Sequence, residues 1–106
     1  QVIDGSVGIT EKNSSESEDY FTGYPNPASD KVEIAFNTDK SGLVQLSVYD
    51  INGVKTIDIL NKTLEKGNQK VNWDLINQLG HRVSPGVYFA RLTDAEKSKT
   101  IKIIVR

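Results

Sequence analysis

One run constrains this chain more than any other: Leu43-Val44-Gln45-Leu46-Ser47-Val48-Tyr49-Asp50-Ile51-Asn52-Gly53. Val44, Leu46 and Val48 fall on one face, and Gln45, Ser47 and Tyr49 fall on the other. A period of two is what a half-buried β-strand requires. Asp50 and Asn52-Gly53 then supply turn chemistry. Asp and Asn side chains bond nearby backbone, and Asn and Gly tolerate positive φ. A second extended run, residues 54–60, follows at once, so the two runs are predicted to form a hairpin.

The same alternation recurs along the chain. In residues 31–37, Val32, Ile34 and Phe36 face one way and Lys31, Glu33 and Ala35 the other. Residues 69–74 form a short strand in which Val71 and Trp73 share a face, which makes the single Trp a core plug. In residues 86–93, Tyr88, Ala90 and Leu92 share one face, and Val87, Phe89 and Arg91 the other. Both faces are partly apolar, so this strand is covered on both sides or lies at a contact. In residues 98–105, Ile101, Ile103 and Val105 point inward, and Thr100, Lys102 and Ile104 outward. Lys on the outer face is how an edge strand discourages unwanted pairing. Residues 61–67 hold Leu64 as an anchor before a turn at Lys66-Gly67-Asn68. Residues 75–85 read as a long turn-rich connection with one helical turn near residues 75–79. Short strands separated by turn signals, with little helical periodicity, predict an all-β protein. The predicted fold is an immunoglobulin-like β-sandwich of about seven antiparallel strands. The seventh strand comes from residues 20–24 or from the first ten.

A length of 106 residues fits one domain. The formal charge of −1 argues against a nucleic-acid binder. There is no cysteine, which removes disulfides and thiolate metal sites. No apolar run approaches the roughly 18–20 residues of a membrane helix, and no signal peptide opens the chain. A chain that starts at Gln1 and holds no methionine reads as a fragment of a longer protein.

Charge is unevenly placed. Residues 11–19, EKNSSESED, are acidic and Ser-rich, whereas residues 97–106 hold Lys97, Lys99, Lys102 and Arg106 and no acid. The acidic stretch cannot bury enough apolar surface to offset its ordering entropy, so it reads as a linker and a site for proteolysis. Residues 1–19 are accordingly assigned to the end of a preceding region plus this linker, and residues 20–106 to the sandwich. The sandwich opens on Tyr20 and the stretch through Pro27. Pro25 and Pro27 fix φ and push Tyr24 and Asn26 toward extended backbone, giving a rigid lead-in. Tyr20, Phe21 and Tyr24 read as covers for the core edge.

No catalytic constellation appears. Hydrolysis needs a nucleophile with its base, two carboxylates or a metal. His81 is the single histidine and reads as a solvated loop residue. Asp50, Asp74 and Asp94 end strands near turns. They could gather around Ca²⁺, but turn formation accounts for them as well. The reading is a non-enzymatic interaction module with no cofactor and no metal site.

Four stretches then align: Tyr24-Pro25-Asn26-Pro27, residues 46–53, Ser84-Pro85-Gly86-Val87-Tyr88-Phe89, and residues 100–106. In this order and spacing the chain resembles the type A C-terminal sorting domain of type IX secretion cargo. Val71-Asn72-Trp73-Asp74 ahead of Gly80 also looks like the immunoglobulin-like repeat of flagellar hook-capping proteins. The resemblance implies a non-catalytic export signal on a larger protein of Bacteroidetes-type bacteria. It implies passage through the periplasm and outer membrane to the cell surface or the medium. Implied partners are the outer-membrane translocon, cargo domains in the same chain, and a sortase-like cysteine peptidase that cuts in residues 11–19. The motif positions Pro25, Asn26, Pro27, Lys102 and Arg106 become candidates for translocon recognition. Asp50, Gly53, Gly86 and Tyr88 become turn and fold residues.

Two further expectations follow. If the last strand is a sheet edge, a receptor could add a strand to it, with the basic side chains setting orientation. Removal of the last residues would then abolish export without unfolding the rest. The alternative role is an accessory sandwich of a secreted hydrolase, structural or carbohydrate-binding, with Tyr20, Phe21, Tyr24 and Phe89 as stacking residues.

Overall fold

Strands with one apolar face must bury it against another layer. A computed structural model shows how this chain does so. It describes residues 20–106, and every expectation for residues 1–19 lies outside the described residues.

Seven strands follow in order: β1 Phe21–Tyr24, β2 Val32–Thr38, β3 Gly42–Asp50, β4 Lys55–Leu64, β5 Gly67–Trp73, β6 Gly86–Thr93 and β7 Ser98–Val105. They form a three-stranded sheet, β1-β2-β5, and a four-stranded sheet, β4-β3-β6-β7. All strand pairs within the sheets are antiparallel. The immunoglobulin-like sandwich read from the alternation is the fold, and β1 supplies the seventh strand.

The inward residues meet as the period of two requires. Val32, Ile34 and Phe36 of β2 face Val44, Leu46 and Val48 of β3, Tyr88 and Ala90 of β6, and Ile103 and Val105 of β7 in one buried core. Trp73 closes one end of it at 1% exposure. Its indole Nε1 donates to Ile76 O at 2.9 Å, and its ring meets Tyr88 edge to face at 5.6 Å. A buried indole needs such a partner for its N–H.

Three local readings change. The segment after Trp73 holds no helical turn. Leu75 is fully buried with φ +61°, and Ile76 bridges Arg82 in an antiparallel pair around the exposed tip. Asn77 organises that tip: its Oδ1 accepts from Leu79 N and His81 N at 2.9 and 3.0 Å. Second, β4 runs to Leu64 rather than ending near residue 60, because Leu60 and Leu64 both reach the core. Third, Tyr24 covers nothing. Phe21 and Gly23 take the inward positions of β1, which leaves Tyr24 77% exposed on the outer side.

The β3–β4 hairpin carries two irregularities. Leu46 pairs with Leu60 but Ser47 with Asp58, which leaves Ile59 extra. Val48 pairs with Ile57 but Tyr49 with Lys55, which leaves Thr56 extra. Each bulge adds one residue to β4 and re-aims those that follow.

Candidate functional site

The lead-in and the terminal strand are joined. β7 is an outer strand of the four-stranded sheet, and its outward backbone groups need partners. Asn26 supplies two: its Nδ2 donates to Lys102 O at 2.8 Å, and its Oδ1 accepts from Ile104 N at 2.9 Å. Ala28 supplies two more: its N donates to Ile104 O at 2.8 Å, and its O accepts from Arg106 N at 2.9 Å. Ala28 and Val105 form a parallel bridge, and Ala28 is fully buried. The Arg82 guanidinium also donates to Ser29 O and ties the 75–85 connection to the same segment. Both X–Pro peptides of the lead-in, Tyr24-Pro25 and Asn26-Pro27, are cis.

This arrangement alters the edge-addition idea. From Lys102 to Arg106 the outer edge of β7 is taken by the chain itself, so an incoming strand finds no backbone to pair with there. Truncation is also a poor probe of recognition. Ile103 and Val105 belong to the core at 0% and 3% exposure, and removing them removes core. The side chains of Pro25, Asn26, Pro27, Lys102, Ile104 and Arg106 stay exposed around the joint.

The other motif residues lie at the same end of the four-stranded sheet. Asp50 pairs in register with Tyr88, Tyr88 with Ile103, and Gly86 with Val105 beside Ala28. The turn after β3 spans residues 51–54. Gly53 N donates to Asp50 O at 3.0 Å, Asp50 Oδ1 accepts from Asn52 N and Val54 N, and Gly53 adopts φ +82°. That angle suits glycine. Asp94 does similar work after β6, its Oδ1 accepting from Glu96 N and Lys97 N at 2.8 and 3.0 Å. Turn bonding therefore occupies one oxygen of each of these two aspartates. Among the described residues no group of three His, Cys, Asp or Glu side chains is placed to hold a metal ion. The Tyr88 hydroxyl donates to Ser84 O at 2.6 Å, and burial, with a smaller contribution from the Asp50 charge, pushes its pKa up.

The far edge of the same sheet is closed in a related way. Gln78 N donates to Thr56 O at 2.9 Å, and Gln78 Oε1 accepts from Asp58 N at 3.1 Å, so the 75–85 connection covers part of β4.

The four aromatics proposed for stacking do not assemble. Phe21 is buried in the core. Tyr20 is tied to Asn37 and Asn68 at the opposite end, and Tyr24 lies on the outer side of the small sheet. Phe89 stands on the outer face of the large sheet, where its register partner is Tyr49.

That outer face holds residues the sequence reading did not bring together. Three rows run across the strands: Lys55–Tyr49–Phe89–Lys102, Asp58–Ser47–Arg91–Thr100, and Asn61–Gln45–Thr93–Ser98. The β4 members are three residues apart because of the two bulges, so a search at period two cannot find them. Ser47 Oγ donates to Asp58 Oδ1 at 2.6 Å, and Lys55 Nζ meets the same oxygen at 3.0 Å. The hydroxyl first, then the ammonium, hold the Asp58 carboxyl below its usual pKa.

Comparison with known proteins fits this geometry. The family described as secretion system C-terminal sorting domain matches residues 22–106. No curated protein matches the chain. Among solved structures, PorZ, an essential surface component of the type IX secretion system of Porphyromonas gingivalis, aligns with TM-score 0.60 and 27% identity. The alignment covers 81% of this chain and 11% of PorZ. Latent dimeric PorU from the same organism aligns with TM-score 0.65 and 17% identity, over 92% of this chain and 10% of PorU. FlgD from P. aeruginosa aligns with TM-score 0.53 and 23% identity, over 69% of this chain and 58% of FlgD. The last two likenesses are of fold. The chain thus spans about a tenth of the length of PorZ or PorU. A sequence match over residues 22–106, on a fold shared with type IX components, has one reading: the chain belongs to the family of type IX C-terminal sorting domains, signals for export across the outer membrane to the cell surface or the medium.

Proposed function

We propose that residues 20–106 act as the export signal of a larger protein and are read by the type IX outer-membrane translocon at the joint between lead-in and terminal strand. The observation that supports this reading is the set of four hydrogen bonds from Asn26 and Ala28 to Lys102, Ile104 and Arg106. It places Pro25, Asn26 and Pro27 beside Lys102 and Arg106, which are far apart in sequence, as one exposed surface. Because the backbone edge is occupied there, the receptor reads side chains and shape, and the two cations orient the docking. Residues 11–19 serve as the connection to the cargo, and a sortase-like cysteine peptidase cuts within them after export.

The test is a fusion carrying residues 11–106 behind a signal peptide and a fluorescent reporter. It is expressed in a bacterium with an active type IX system and in a translocon-null strain. Surface or medium fluorescence is expected only in the former, and is expected to fall in Lys102→Glu/Arg106→Glu, a pair that leaves the core untouched. Periplasmic retention of the folded parent fusion in both strains would sink the proposal. Normal export of the charge-reversed pair would remove the two cations from recognition.

A further inference from the structure

We propose that the outer face of the four-stranded sheet, on β3, β4 and β6, is a binding site for an acidic oligosaccharide. The proposal does not depend on how the export signal is read.

Tyr49 and Phe89 are register partners on this face, so their Cβ atoms lie about 5 Å apart and their rings share one outward surface. Such a pair offers an apolar floor to the C–H face of a sugar ring. A cleft of about 310 Å³ opens over these two residues, and one of about 110 Å³ opens over Ser47, Asp58 and Asn61. Both clefts are lined by Tyr49 and Arg91, so they adjoin. Polar groups there are already oriented. Ser47 is only 7% exposed, and it and Lys55 both bond Oδ1 of Asp58, leaving Oδ2 to accept from a ligand hydroxyl. A few positioned polar groups beside an apolar floor are how a small-molecule site sets orientation.

Charge selects among sugars. Lys55 is matched by Asp58, but no ion pair among the described residues involves Arg91 or Lys102, which flank the aromatic pair. Asp50 also lines the larger cleft, so Arg91 there and Lys102 beside Phe89 leave a surplus of one positive charge next to the hydroxyl-binding row, and the fitting ligand carries both hydroxyls and a carboxylate or phosphate. The two bulges in β4 support a site as well. Without them Lys55 and Asp58 would not both stand opposite Tyr49 and Ser47.

The experiment is an amide NMR titration of the whole 106-residue chain with four probes. They are tetragalacturonate, a phosphorylated mannopentaose, maltotetraose and inorganic phosphate. One or both acidic sugars are expected to give saturable shifts confined to β3, β4 and β6, at least about tenfold tighter than maltotetraose. Tyr49→Ala and Arg91→Gln, both changes to outward side chains, are each expected to weaken binding by about tenfold with the remaining amide spectrum unchanged. Comparing the two acidic sugars assigns the anion as carboxylate or phosphate. Absence of saturable shifts with both, equal binding of maltotetraose, or the same shifts at the same strength with inorganic phosphate alone would overturn the proposal.

Discussion

The carboxamide of Asn26 spans the backbone of the last strand, giving a hydrogen bond to Lys102 O and accepting one from Ile104 N. A side chain here completes a sheet edge that no neighbouring strand completes. Each such bond contributes about 0.5–1.5 kcal/mol. Asn26→Ala is therefore expected to lower stability by about 1–3 kcal/mol in urea unfolding, and to speed hydrogen exchange at the Ile104 amide. An unchanged midpoint with Ile104 still protected would show that this joint holds nothing.

Gly23 sets how closely the two sheets approach at β1. A Cβ there would meet Val32 Cγ1 at 3.1 Å and Ile101 Cδ1 at 3.3 Å. Overpacking a closed core costs about 1–3 kcal/mol. Gly23→Val is expected to fall in that range by thermal or urea unfolding, whereas Gly42→Val, where a Cβ meets nothing within 4 Å, is expected to cost less.

Asp58 gives the fold an acid limb. Its carboxyl is held below the usual range by Ser47 and then Lys55. A depressed folded pKa contributes stability that is present above the unfolded value of about 3.9 and is lost as pH falls through the folded value. Asp58→Asn is thus expected to be less stable than the parent near neutrality, with the gap closing below about pH 4. Ser47→Ala is expected to shrink the same limb. A gap that stays constant from neutral to acid pH would contradict the assignment.

Tyr88 acts at the other end of the scale. Burial raises its pKa, so its contribution is complete below the unfolded value of about 10 and is lost as pH rises through the folded value. Tyr88→Phe removes the bond to Ser84 O and is expected to cost about 0.5–1.5 kcal/mol at neutral pH. The variant is also expected to lose the part of the alkaline destabilisation that Tyr88 causes. Stability curves of parent and variant, measured from neutral pH to above pH 10, check both parts.

The layers of this fold were legible because alternation reports burial directly. Val32-Ile34-Phe36 and Val44-Leu46-Val48 could face a core only as strands, and Trp73 two residues after Val71 had its side fixed. β4 was less legible. Two extra residues break its alternation, so neither its end at Leu64 nor the shared face of Lys55, Asp58 and Asn61 follows from spacing. Residues 75–85 carried turn chemistry that fits many backbones, and the φ of +61° at Leu75 goes with its full burial in the core rather than with its own preference. The candidate site was legible only as separate pieces. That Asn26 reaches Lys102 and Ile104 is a contact across 76 and 78 residues, which no local pattern encodes.

The parallel run of residues 26–28 beside β7 has a mechanical consequence. A tension applied through Tyr20 at one side and Arg106 at the other pulls these neighbouring segments in opposite directions along their length. The four hydrogen bonds between them are then loaded together in shear, not opened one after another like a zip. Drawn lengthwise, the sandwich resists at the joint where its two motif stretches meet, and the joint yields as a unit.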